Sequence, residues 1–285
     1  MNTYTPMKIV YLDWNVIVHL ISGDYPSLLA VLKSGVSKQA FFVPFTSVHV
    51  EEASKIRSKS EIEDRLNFLS ELSGNMYFEN SILDTGLVLR HPEEVKATLD
   101  EAILPSGFLK WCANVISRPM LMLVRKSIGI DPSELNNVTP ERVWEEIDSK
   151  ILKSKYAAKI PRVNGSPLKA LIKLSDEQSV SQFRTTSIIM GVPLERARAS
   201  DMKISVLYSL LESFGYYPEK NKVFKKGSRF ADASHCYYSQ WACLCISRDK
   251  GFRMKSQAIA ALTGSSVMYK TPETALQYVT NLQKS

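Results

Sequence analysis

The sequence contains few of the residues that build disulfide frameworks or zinc sites, and it has no long apolar run. Only four cysteines occur in 285 residues, and no two of them form a Cys-x-x-Cys pair. Cys243 and Cys245 share one face of an apolar stretch, which is typical of buried, reduced thiols. The N-terminus lacks a signal-peptide pattern, and no apolar run is as long as a membrane span. We therefore expect a cytoplasmic protein without a membrane partner.

Two common kinds of catalytic machinery are also missing. The four histidines, His19, His49, His91 and His235, do not lie in the context of a serine or cysteine nucleophile. No Walker-type glycine loop is present, so the sequence does not support nucleotide-driven chemistry.

Basic residues exceed acidic ones, with a formal charge of +7 and a pI of about 9.1. Much of the excess lies in two stretches. The first contains Lys153, Lys155, Lys159, Arg162 and Lys169, and the second contains Lys222, Lys225, Lys226 and Arg229. A basic surface can hold a polyanion such as nucleic acid, although such lysines can also merely solvate helix faces. Because the second stretch runs directly into Asp232, we interpret its four residues as nucleic-acid-binding.

The order of the predicted elements indicates an α/β fold with a central parallel sheet. Short apolar runs predict strands at Lys8–Leu12, Ala40–Phe45 and Asn75–Glu79, with one helix over Val16–Lys33. The last quarter alternates helices and strands: Asp232–Gln240, Trp241–Ile246, Phe252–Leu262, Ser265–Tyr269 and Pro272–Leu282. Continuous apolar strands between helices are typical of a parallel sheet that is covered on both faces. Residues 81–200 show helical periodicity and little strand signal. This pattern predicts a helical insertion into a core that is formed by residues 1–80 and 201–285.

Four acidic residues lie at the ends of predicted elements: Asp13, Glu52, Asp232 and Asp249. Carboxyl ends of parallel strands are where open α/β sheets place their ligands. Clustered carboxylates are the ligands that Mg²⁺ and similar hard cations prefer. Each acid also has a simpler explanation, because Asp commonly caps helices and favours helix N-termini. Gathering of all four at one sheet end would instead predict metal-assisted chemistry on phosphate.

Neighbouring polar residues are candidates for supporting roles. Asn15 and Ser247 could orient Asp13 or a metal-bound water, and His235 shares a helix face with Asp232. Glu52 falls in line with Val48 on the apolar side of its helix, where a carboxylate is costly without a compensating cation. Glu51 falls on the solvated side in line with Lys55, so we expect these two residues to form an ion pair. His49 is interpreted as a packing or orienting group.

These short motifs, taken in order, resemble the four acidic motifs of PIN-like ribonucleases, including the VapC-type toxins. The resemblance rests on Leu12-Asp-Trp-Asn15, the stretch from Pro44 to Glu52, Asp232-Ala-Ser-His235 and Ser247-Arg-Asp-Lys250. It covers about the first eighty and the last eighty-five residues. It implies a three-layer α/β/α fold, to which this chain adds the helical segment. It also implies Mg²⁺ or Mn²⁺ held by Asp13, Glu52, Asp232 and Asp249, which would be the catalytic acids.

The resemblance further implies endonucleolytic cleavage of RNA, with single-stranded DNA as an alternative substrate. Many stand-alone proteins of this family act as toxins or antiviral-defence effectors. We therefore expect such a role and an inhibitory partner protein. A homo-oligomer is a further possible arrangement. One alternative is a non-catalytic, nucleic-acid-binding module of the same fold. Another is a phosphatase of the haloacid-dehalogenase type. Such enzymes require a second Asp where this chain has Asn15, which argues against a phosphoaspartyl mechanism.

Overall fold

A computed structural model describes residues 8–80, 85–101, 125–159, 161–173, 199–218 and 228–284. The chain divides into two compact units. The first unit comprises Met1–Leu104, Tyr238–Lys250 and Ser266–Ser285, and the second comprises Pro105–Tyr237 and Gly251–Ser265. The core and insertion boundaries that the sequence suggests stay a prediction.

The N-terminal part of the first unit contains one short strand, four helices, a strand pair and a further helix. Its elements are β1 (Val10–Leu12), α1 (Trp14–Ile21), α2 (Pro26–Ser37), α3 (Ser47–Ala53), α4 (Lys59–Ser73), β2 (Met76–Asn80), β3 (Thr85–Leu89) and α5 (Pro92–Glu101). The single helix predicted over Val16–Lys33 is wrong, because the chain turns between α1 and α2. Gly23 has a φ of 81° there, and Pro26 starts the second helix. A left-handed glycine followed by a proline ends one helix and begins another.

The second unit is helical in its described part. It contains α6 (Pro132–Leu135), α7 (Val143–Lys153), α8 (Ala199–Phe214), most of α9 (Ser228–Ser239) and most of α10, which runs over Lys250–Thr263. Residues 125–128 and 167–173 are also helical. The indole N–H of Trp144 donates to the carbonyl of Ala258 over 2.8 Å and ties α7 to α10. The buried ion pair between Lys255 and Glu212, with Nζ and Oε2 2.9 Å apart, joins α10 to α8.

The remaining elements of the first unit complete its sheet. These are β4 (Leu244–Ile246), β5 (Met268–Lys270) and α11 (Pro272–Leu282). β1 pairs with β4 in parallel, with Leu12 opposite Ile246, and β4 pairs in parallel with β5. A mixed α/β fold with a parallel sheet is therefore confirmed.

The sheet continues on the other side of β1 through single bridges. Phe42 forms a parallel bridge with Ile9, and Phe45 forms one with Tyr77 of β2. β2 pairs antiparallel with β3. The order across the sheet is thus β3, β2, the segment 42–45, β1, β4 and β5.

Pro44 explains why the predicted strand Ala40–Phe45 is present only as bridges. Continuing the pairing of Ile9 with Phe42 by two residues would require an N–H from Pro44, which proline lacks. β3 was not predicted, because residues 81–200 were interpreted as helical with little strand signal. Its pairing with β2 spans Met76 opposite Leu89 to Asn80 opposite Thr85.

The core of the first unit lies on the sheet and against the helices that cover it. Its buried residues include Val10, Leu12, Val16, Ile17, Leu20, Phe41, Leu69, Leu244, Ile246 and Val279. Burying such a continuous apolar set is the main favourable contribution to folding. Within the described ranges, no single helix is long and apolar enough to be a membrane span; α1 and α2 meet that criterion only when the bent pair is counted together.

Candidate functional site

Asp13 is a buried carboxylate at the carboxyl end of β1, with a relative exposure of 5%. Its backbone N–H donates to the carbonyl of Ile246 over 2.9 Å, which fixes it against the end of β4. Asp13 precedes α1, but its side chain makes no capping hydrogen bond to that helix. Helix capping therefore does not explain why an acid is buried here.

Two neutral side chains hold the Asp13 carboxylate. Ser247, the first residue after β4, donates its hydroxyl to Oδ2 over 2.5 Å, and Asn15 donates its amide to the same oxygen over 2.6 Å. The Asn15 oxygen accepts from the backbone N–H of Arg248 over 3.1 Å. That bond sets the orientation of the Asn15 amide, since the backbone group can only donate. Asn15 and Ser247, the predicted supporting residues, thus join the ends of β1 and β4 around Asp13.

This cluster lies at the topological switch point of the sheet, between the neighbouring strands β1 and β4. From β1 the chain passes to the segment 42–45 and β2 on one side, and it later returns to β4 and β5 on the other side. Asp13 and Ser247 directly follow the two strands that flank the switch point. Open α/β sheets bind ligands in the crevice beyond the strand carboxyl ends at such a position. The cluster is therefore placed at the sheet's expected ligand site.

His49 connects α3 to the end of β1. Its ring is fully buried; Nδ1 accepts from the Thr46 backbone N–H over 3.0 Å, and Nε2 donates to the Leu12 carbonyl over 2.8 Å. The ring thus bridges two backbone groups beside the point where Pro44 interrupts the ladder. Because a backbone N–H can only donate and a carbonyl can only accept, these bonds require the neutral imidazole with its proton on Nε2. His49 therefore positions the residue that directly precedes Asp13.

Tyr11 forms part of the buried layer beneath this site. Its ring stacks on Tyr238, with centroids 6.5 Å apart, and is tilted against His49 at 5.3 Å. Burial raises the pKa of Tyr11 well above its usual value, so the phenol stays protonated.

Glu52 lies at the end of α3 and is more buried than Glu51, with its side chain 18% exposed. This order of burial is the one that the helix phase predicted. The predicted ion pair between Glu51 and Lys55 is wrong, because Lys55 Nζ lies 3.4 Å from Oε1 of Glu52. α3 ends at Ala53, so Lys55 lies beyond the helix and the i,i+4 alignment does not hold.

Asp249 and Arg248 follow Ser247 at the end of β4. Asp249 is exposed, and its backbone N–H donates to the Ser247 hydroxyl over 3.1 Å. The exposed guanidinium of Arg248 contacts the ring of His19 and lies 6.0 Å from the ring centroid of Tyr25. Arg248 was not among the residues predicted to belong to the site. Its place between two predicted site residues was the available signal.

An acid on α11 completes the surroundings of Arg248. Tyr25 donates its hydroxyl to Oε1 of Glu273 over 2.9 Å. Hydrogen bonds from the Thr271 side chain and the backbone, with a smaller contribution from Arg248, hold the pKa of Glu273 below its usual value. Glu273 therefore stays ionised and partly balances the cation.

Asp232 and His235 lie on α9, in the second unit. Asp232 does not open this helix as predicted, because the helix begins at Ser228, one turn earlier. The Arg-Phe-Ala residues between them are compatible with a helix, so nothing in the sequence delays its start to Asp232. Tyr208 of α8 donates its hydroxyl to Oδ2 of Asp232 over 3.5 Å. His235 is buried, at 1% exposure.

The predicted nucleic-acid contacts before Asp232 fall mainly outside the described residues. Lys222, Lys225 and Lys226 lie in the undescribed range 219–227. Arg229 belongs to the first turn of α9, but its side chain is outside the described part. Their predicted role stays a prediction.

A hard divalent cation needs oxygen ligands, and Asp13 supplies a buried carboxylate in a fixed orientation. Among the residues that the structure describes, no three His, Cys, Asp or Glu side chains form a group that could hold a metal. Mg²⁺ does not require such a group, because it usually keeps several waters and is held by one or two carboxylates. A single buried carboxylate at Asp13 is compatible with that coordination, and binding of Mg²⁺ or Mn²⁺ stays a prediction.

Comparisons of the chain with protein-family models, with curated proteins and with solved structures find no match. The resemblance to PIN-like ribonucleases therefore rests on the sequence motifs.

Proposed function

We propose that this protein is a Mg²⁺- or Mn²⁺-dependent endoribonuclease with a PIN-like three-layer fold. The observation that carries the proposal is the buried Asp13 carboxylate at the topological switch point of the sheet. It is oriented by Ser247 and Asn15 and does not cap α1. A carboxylate fixed at a ligand crevice is suited to hold a cation against a phosphate.

Asp13, Glu52 and Asp249 would hold the metal in the first unit, and the sequence assigns Asp232 to the same role. The bound ion would supply an activated water and stabilise the leaving oxygen of a phosphodiester. Ser247 and Asn15 keep the Asp13 carboxylate in one orientation. Among the described residues no ready group of metal ligands is formed, and carboxylates repel one another until a cation offsets their charge.

Arg248 would contribute a cation for the RNA at the same strand end. Its exposed guanidinium can contact a phosphate next to the Asp13 cluster. Because the motifs resemble those of PIN-like ribonucleases, we extend the proposal to a role as a toxin or antiviral-defence effector with an inhibitory partner protein.

A second candidate is a non-catalytic module of the same fold that binds nucleic acid. The absence of a three-ligand group among the described residues favours it. One experiment separates the two. Purified protein is incubated with end-labelled single-stranded RNA and Mn²⁺, with and without excess chelator. Internal cleavage that the chelator abolishes supports the nuclease, whereas RNA binding without cleavage at any divalent-ion concentration supports the binding module.

A further inference from the structure

The stretch from residue 150 to 173, here called the basic segment, accounts for the whole net charge of the protein. It contains six lysines, one arginine and no acidic residue. The other 29 Lys and Arg match the 29 Asp and Glu of the chain, so the rest of the sequence is balanced. A charge excess concentrated in one short stretch indicates a surface for a polyanion.

Five of the seven basic side chains of this segment point to solvent and have no carboxylate partner among the described residues. Lys153, Lys155, Lys159, Arg162 and Lys169 are all exposed. In the described part of the chain, none of these five has a carboxylate partner. Some other lysines do pair with acids: Lys96 pairs with Asp100, and Lys150 at the start of the segment pairs with Glu134 over 3.0 Å. The five cations are therefore available to an external partner.

The segment is folded onto α7 and is not an extended linker. Oδ1 of Asp148 accepts from the Ser166 hydroxyl over 2.9 Å and from the Leu168 backbone N–H over 2.8 Å. Val163 and Ser166 form an antiparallel bridge that closes the turn between them. These bonds fix the turn at residues 163–166 beside α7. In the earlier stretch the Ala157 N–H donates to the Ser154 carbonyl over 3.1 Å and the Lys159 N–H donates to the Tyr156 carbonyl over 2.8 Å, so the backbone that carries Lys155 and Lys159 is folded.

An aromatic ring lies beside one of these cations. Tyr156 is exposed, at 36%, and Lys155 Nζ lies 5.2 Å from its ring centroid. Exposed aromatic rings in a basic groove are the features with which proteins bind single-stranded nucleic acid, because every base has a face that can stack. A membrane is a poorer fit, since the apolar face of α7, including Trp144 and Ile147, is already buried in the protein.

We propose that Lys153, Lys155, Lys159 and Arg162, together with Tyr156, form a binding surface for single-stranded RNA. The cations contact successive phosphates, and the tyrosine stacks on a base. The choice of RNA as the polyanion rests on the proposed function, but binding at this surface requires no cleavage.

The test measures binding of a fluorescent single-stranded RNA of uniform sequence, with chelator present so that cleavage cannot occur. A variant in which all four cations are replaced by Gln should lose about three units of the salt slope of log K. Its affinity at about 0.1 M salt should fall by up to about a thousandfold, since about three units of slope act over the decade between about 1 M and 0.1 M salt. The matched control replaces four exposed lysines elsewhere, Lys38, Lys59, Lys126 and Lys284, and should bind nearly as the parent does.

Tyr156 gives an independent readout. Tyr156→Ala should weaken binding by about tenfold without changing the salt slope, and Tyr156→Phe should restore the affinity because it keeps the ring. An unchanged salt slope in the quadruple Gln variant overturns the proposal, and so does an equal loss in the control. Preferential binding of anionic lipid vesicles or of double-stranded RNA by the parent protein also overturns it. Absence of metal-dependent cleavage, with these binding results intact, would refute only the nuclease.

Discussion

Replacement of His49 tests the connection between α3 and the end of β1. The imidazole joins the Thr46 N–H to the Leu12 carbonyl, and both lie in the buried interior beside Asp13. His49→Ala removes both hydrogen bonds at once. His49→Asn keeps an acceptor at the position of Nδ1, as in a capping box, but cannot reach Leu12.

The magnitude follows from the number of buried groups that lose their partner. Each such group costs about 1–3 kcal/mol, so His49→Ala should lower the free energy of unfolding by about 2–6 kcal/mol. His49→Asn should cost about half as much, because only the Leu12 carbonyl loses its donor. A loss of this size is a large fraction of the stability of an ordinary domain.

Equilibrium urea unfolding, followed by tryptophan fluorescence, measures both variants. Trp14 is a suitable reporter because its ring centroid lies 6.5 Å from that of His49. If His49→Ala unfolds within about 1 kcal/mol of the parent, the imidazole does not make these bonds. If His49→Asn is no more stable than His49→Ala, the bond to Thr46 contributes nothing.

Three further predictions concern other parts of the two units. Lys255→Met should lower the free energy of unfolding, measured by calorimetry, by about 3–5 kcal/mol, because it removes the cation beside the buried Glu212 carboxylate. The double variant with Glu212→Met should recover most of that loss. A clearly smaller loss in the single variant would contradict the buried ion pair. Gly35→Ala should lower the free energy of unfolding by about 1–3 kcal/mol, since the new Cβ would lie 2.1 Å from Cζ of Phe41. Gly86→Ala is the control, because its Cβ would meet no atom within 4 Å, and it should unfold as the parent does. Glu52→Gln should abolish RNA cleavage and Glu51→Gln should leave it intact, and the reverse result would show that the wrong glutamate was chosen.

Elements with strong local signals could be predicted from the sequence. Helix α11 has its predicted bounds, Pro272–Leu282, because the Thr271 hydroxyl accepts from the Thr274 N–H and proline occupies the first position. Gly264 has a φ of 76° directly after α10, which is typical of a glycine that ends a helix and is a signal that can be read from the sequence. β3 was missed because its pairing with β2 depends on a partner strand more than on its own composition.

Contacts within the site could likewise be predicted where they are local in sequence, and could not where they depend on the tertiary fold. Asn15 lies two residues after Asp13, so its contact with that carboxylate could be proposed from spacing. The bridge formed by His49 could not, because it depends on Pro44 breaking the ladder beside β1 in the folded sheet. The start of α9 before Asp232 was also missed, since a capping acid and an acid within a helix look alike in sequence.

The most direct test of the proposed nuclease is the effect of Asp13→Asn on metal binding and cleavage. Asn keeps an oxygen that can accept from Ser247 and Asn15, so the fold should persist, and loss of a buried negative charge should leave the metal-free stability unchanged or higher. Asp64→Asn, at an exposed position of α4, is the matched control. Mn²⁺ binding by calorimetry and RNA cleavage are measured on the same samples. We predict that Asp13→Asn loses both and Asp64→Asn keeps both, whereas full Mn²⁺-dependent cleavage by Asp13→Asn would contradict the assignment of this site.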